Sequence, residues 1–205
     1  MQTQPTNDTA TPAIPAPATI LQHLCTSVRK TQFHLIAYSA ATATPEQVTK
    51  DDVPDYEYYE FEQDRAMTDE MLRMSQELLD HLEQHRSSYY PSQPAFEQPT
   101  VSTTPDWERG TLRLHNAGEA ALWVIAAHQI SLAYAETLPT DNPAHADAQK
   151  LAEEVENLLG TIDEHGNEHT LSRGTHPATW FEADALLDEM HPAYTELSTE
   201  RANRN

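Results

Sequence analysis

Residues 116–139 read NAGEAALWVIAAHQISLAYAETLP, and this stretch decides the fold class. From Ala120 to Leu138 apolar side chains fall nearly all round a helical wheel: Leu122, Trp123, Val124, Ile125, Ile130, Leu132, Tyr134. A helix without a polar face is covered on every side, so other elements must pack around it. Asn116 and Glu119 have the spacing of a capping box, which places the helix start near Asn116. Pro139 stops it, because proline supplies no N–H to the next turn.

Working outward, the neighbouring segments read as its packing partners. Ile20, Leu24, Val28 and Leu35 recur at helical spacing and predict a helix over residues 18–40, with Cys25 as a buried thiol on its apolar face. Met67, Met71, Met74, Leu78 and Leu82 form one stripe and predict a helix over residues 68–86. After Asn142 and Pro143, the residues Ala148, Leu151, Val155 and Leu158 form another inward stripe, with Gly160 placed as its C-terminal cap. Thr179 pairs with Glu182 as a capping box for a last helix carrying Trp180, Ala183, Leu187, Met190, Tyr194 and Leu197. Pro192 should kink or restart that helix. Residues 161–171 read as a short hairpin around His165, Gly166 and Asn167.

The expectation is an all-α bundle of about five helices, with one short hairpin between the last two. The helical domain spans residues 18–199. Residues 1–17 offer little to bury and read as a disordered tail. Residues 87–109, rich in Pro, Ser and Thr, read as a linker or surface loop, and residues 200–205 should fray.

The chain has 205 residues and a net charge of −21. Residues 51–100 hold 13 acids against 3 bases, and residues 151–205 hold 12 against 3. A field of this sign disfavours nucleic acid and anionic membrane and steers basic partners inward. The single cysteine excludes an internal disulfide. With no signal-peptide pattern and no apolar run of membrane-spanning length, a cytoplasmic location is the default expectation.

Four groups of residues could carry chemistry or binding. His81 and His85, four apart on one helix face, could share a metal ion with a third ligand from His23, His34 or His128. Asp163, Glu164, His165, Glu168 and His169, with His176 nearby, are rich in ligand atoms but lack the oxygen ladder of a calcium loop. Asp55, Tyr56, Glu57, Tyr58, Tyr59, Glu60, Phe61 and Glu62 interleave aromatics with acids. That pattern suits binding to a basic surface, or an edge strand or extended strip laid on the bundle.

The last group is acidic. The stretch Leu151-Ala152-Glu153-Glu154-Val155-Glu156 resembles the first acidic motif of the all-α, MazG-like nucleoside triphosphate pyrophosphohydrolases. The resemblance implies Mg²⁺ held by carboxylates on two packed helices, with Glu154, Asp184 and Asp188 as the candidates here. The family's second motif, Glu-x-x-Asp, is absent, and Glu153 projects away from the inward stripe. The preferred expectation is therefore a non-enzymatic, cofactor-free interaction module whose acids engage a basic protein, for instance by imitating nucleic-acid charge.

Overall fold

A computed structural model describes residues 12–41, 55–89, 106–168, 174 and 176–204. Six helices follow in order: α1 (Pro17–Ala41), α2 (Asp55–Tyr89), α3 (Asp106–Thr137), α4 (His145–Glu168), α5 (Pro177–Met190) and α6 (Pro192–Arg204). Among the described residues there is no strand, and the protein is an all-α bundle.

Helix α3 is the centre, packing against α1, α4, α5 and α6. Its buried face is built largely from alanine: Ala120, Ala121, Ala126, Ala127 and Ala133 are all at most 2% exposed. Small side chains let the neighbouring backbones approach, and α1 takes most advantage with Ile20, Leu21, Leu24, Val28 and Leu35. Ile125, Ile130 and Tyr134 are buried as expected, but Trp123 and Leu132 are only half-buried. The Lys30 ammonium covers the Trp123 ring at 5.9 Å, a cation–π contact.

Helices α1 to α4 form the main bundle. Asp64 near the start of α2 meets Tyr38 near the end of α1, Arg113 near the start of α3 and His165 near the end of α4. Thus α1 runs antiparallel to α2 and α3, and α4 runs antiparallel to the same two, while α2 and α3 are parallel. Helix α5 lies on α3, and α6 returns against α5 and α3.

Several boundaries differ from the sequence reading, each for a local reason. There is no break after Gly160, and the expected hairpin is helical as far as Glu168; residues 169–173 lie outside the described part. The inward stripe simply continues through Leu158, Ile162 and His165, and Gly160 faces open space with nothing within 4 Å of a would-be Cβ. Helix α3 begins ten residues before Asn116, at Asp106, so Asn116 is no cap. Its buried side chain is instead hydrogen-bonded to His34 Nδ1 at 3.0 Å.

Helix α2 likewise begins at Asp55 and makes residues 55–62 helical, not an extended strip. Acids in the first turns of a helix sit well against the positive end of its dipole. Of the anticipated loop at 87–109, both flanks are helical and residues 90–105 lie outside the described part, as do residues 1–11 of the expected tail.

The last helix does split at Pro192. Proline drives the preceding residue into extended backbone, and His191 has φ −169° and ψ 122°. The cap of α5 is His176 rather than Thr179: its Nδ1 accepts from Ala178 N–H at 3.2 Å, Pro177 takes the first turn, and Thr179 is buried. Residues 200–204 continue as helix because Arg201 donates to Glu136 and Gln129 on α3, both at 2.8 Å.

Candidate functional site

Three arrangements of polar side chains emerge from this architecture. The first is buried, where α1 to α4 converge at one pole. Tyr38 (1% exposed) donates its hydroxyl to Asp64 Oδ1 at 2.7 Å. Arg113 Nη2 donates to Asp64 Oδ2 at 2.6 Å and to the Tyr38 oxygen at 2.8 Å, with its guanidinium 4.9 Å from the Tyr38 ring. His165 Nε2 lies 3.0 Å from both Asp64 Oδ1 and the Tyr38 oxygen. A carboxylate only accepts, so the tautomer that satisfies Asp64 carries its proton on Nε2.

Burial pushes the Asp64 carboxyl upward, but hydrogen bonds from His165 and Tyr38 and the Arg113 charge outweigh it and hold the group below its usual range. Burial raises the Tyr38 phenol well above its ordinary value. Asp64 is therefore an anchored anion and Tyr38 a neutral donor. Asp64 and His165 are each 4% exposed, Arg113 reaches them from the rim, and the arrangement ties four helices together.

The second arrangement lies towards the other pole, between α2 and α4. His81 is pinched between Glu154 Oε2, 2.6 Å from Nδ1, and Asp147 Oδ1, 3.1 Å from Nε2. Both nitrogens donate when the ring is an imidazolium. Lys150 also reaches Glu154, at 3.4 Å. Hence His81 is engaged by carboxylates across the α2–α4 seam, and the His85 side chain lies outside the described residues.

These contacts bear on the proposed metal ligands. Glu154 is occupied by His81 and Lys150, Glu153 is exposed, and Asp184 and Asp188 lie on α5, which packs on α3 and α6. His34 is held by Asn116, His23 bonds the Tyr194 hydroxyl at 2.9 Å, and burial pushes both rings below their ordinary value. His128 is lowered in the same way. From the ligand-rich stretch, His165 joins the buried network and His176 caps α5. Among the described residues no group of three or more His, Cys, Asp or Glu could hold a metal ion. Cys25 is buried on α1.

The third arrangement is the outer surface. Glu62, Asp69, Glu70, Glu77 and Asp80 are exposed along α2, and Glu153, Glu156 and Glu164 along α4. Arg73, an exposed cation among them, is already bridged to Glu70 and Glu77. Within residues 55–62 the described side chains are Tyr59, 58% exposed, and Glu62, also exposed. No helix among the described residues is long and apolar enough to cross a membrane.

Comparison with protein-family models, with curated proteins and with solved structures finds no match to this chain.

Proposed function

We propose that this chain is an acidic helical interaction module that docks on a basic protein surface and occupies it as a polyanion would. The observation that supports this reading is the segregation of charge. The inward-facing Asp64 and His81 are bonded to side chains of other helices, whereas exposed carboxylates run along the outer faces of α2, α4 and α5. A hydrolase of the MazG-like type needs the reverse, with carboxylates converging inward around Mg²⁺. The acidic-aromatic start of α2, from Asp55 to Glu62, supplies one docking face: an exposed Tyr59 offers contact area at low entropic cost and the acids steer the encounter.

The test is capture of partners from a cell lysate at low and high salt, with Glu57, Glu60 and Glu62 reversed to Lys as the control. Captured proteins should be predominantly basic, displaced by added DNA, and lost as salt shortens the Debye length below about 8 Å. The reversal should slow association more than it speeds dissociation. Capture that ignores salt, DNA and charge reversal alike would leave solubility as a sufficient account of the acids.

A further inference from the structure

Helix α5 carries the most exposed large apolar side chain among the described residues, Phe181 at 74%. Its surroundings are ordered by the helical repeat. At ~100° per residue, Ala178, Phe181, Glu182, Ala185, Asp188 and Glu189 fall within about a third of the wheel, and all six are exposed. The opposite side, Thr179, Ala183 and Leu187, is buried in the bundle. Phe181 thus stands as a knob between two small residues one turn away on either side, with acids at the margins. The helix contains four acids and no Lys or Arg. Asp184 borders this face; burial, and then the charge of Asp188 one turn away, raise its carboxyl above the ordinary value. A cation placed there would relieve that repulsion.

We infer that the outer face of α5 is a docking surface for a basic amphipathic protein segment. Phe181 would enter an apolar notch, and Glu182, Asp188 and Glu189 would pair with flanking Lys or Arg. Charge complementarity selects this occupant. A second copy of this chain would bring like charge against like, since the protein carries −21 overall. An uncharged partner would leave the acids without counter-ions. The inference rests on the reading of the protein as an interaction module and assigns that activity to a particular face.

The experiment measures binding of the full chain to two synthetic probes. One is a helical Leu/Lys peptide with an apolar face, and the other is a Lys/Gly peptide of equal charge without one. The amphipathic probe should bind more tightly than the charge-matched one. Phe181→Ala should weaken it by roughly tenfold or more, as loss of an aromatic anchor does, with an unchanged melting temperature because the ring packs on little. Reversing Glu182, Asp188 and Glu189 to Lys should weaken both probes. If Phe181→Ala and the α5 reversal change nothing while the Glu57/Glu60/Glu62 reversal abolishes binding, the inference about α5 is overturned and the interaction reading stands. If neither probe binds at any salt concentration, both fall.

Discussion

Replacing Asp64 by Ala is the sharpest test of the buried pole. The carboxylate accepts from Tyr38 at 2.7 Å, from Arg113 at 2.6 Å and from His165 at 3.0 Å. Its removal leaves a phenol, an imidazole and a guanidinium facing a methyl group. Hydrogen bonds to a charged group are worth about 1.5–3 kcal/mol each, but they are not additive, and Arg113 is 30% exposed and can regain hydration. The expected loss is therefore about 3–5 kcal/mol, the range for breaking a buried ion pair by deleting one partner. Tyr38→Phe removes a donor while preserving the ring and should cost about 1–3 kcal/mol. The assay is urea denaturation followed by helical circular dichroism, with Asp64→Ala/Arg113→Ala completing a double-mutant cycle. The double variant should lose less than the sum of the singles, because the orphaned cation disappears with its partner. Asp64 also sets a pH signature. Its folded pKa lies below the ordinary 3.8, so its stabilisation is complete above that value and is lost as pH falls through the folded one. A loss under about 1 kcal/mol in Asp64→Ala, with no coupling to Arg113, would refute the network as a stabilising unit.

Further expectations address other parts of the chain. Gly160→Ala should stabilise by up to about 1 kcal/mol, since Gly160 is mid-helix and nothing stands where the methyl would go; a lower urea midpoint would contradict the continuous α4. Ile125→Ala, at a fully buried site, should cost about 2–5 kcal/mol and exceed the effect of Trp123→Ala. His23, His34 and His128 are held neutral with folded pKa values below 6.5. The unfolded chain thus takes up more protons just below that pH, and these groups remove stability as pH falls below 6.5 towards their folded values; His128→Gln should flatten that slope in pH-dependent unfolding.

The all-α class and the central position of α3 were legible because a helix with no polar face admits few other arrangements. The missed boundaries had a common origin. Gly160 and the Asn116–Glu119 pair are local punctuation, and local punctuation yielded to stripes that ran past it. The Asp64 network escaped notice because its members stand at positions 38, 64, 113 and 165 with no spacing to connect them. A signal was nevertheless present. The buried stripe of α1 reaches Tyr38 after Thr31 and Leu35, that of α2 includes Asp64 one turn before Thr68 and Met71, and that of α4 reaches His165 after Leu158 and Ile162. Three apolar seams each run into a polar residue at an end, and antiparallel packing brings those ends together. The surface chemistry was less legible, because composition counts acids without saying which way they face.

Two of the polar fastenings on α2, at Asp64 and His81, have a consequence for how the bundle finds its alignment. Asp64 and His81 are 17 positions apart, about 25 Å along the axis at 1.5 Å per residue. Alkyl side chains between them would tolerate α2 sliding by one turn, about 5.4 Å, because one Leu or Met fills a gap nearly as well as another. Such a slide would carry the Asp64 carboxylate away from Arg113 and, at the same moment, lift His81 from between Glu154 and Asp147. The pair works like two index marks on a slide rule: one mark fixes a position, and two, read together across the length of the helix, also reject any alignment that satisfies only one end.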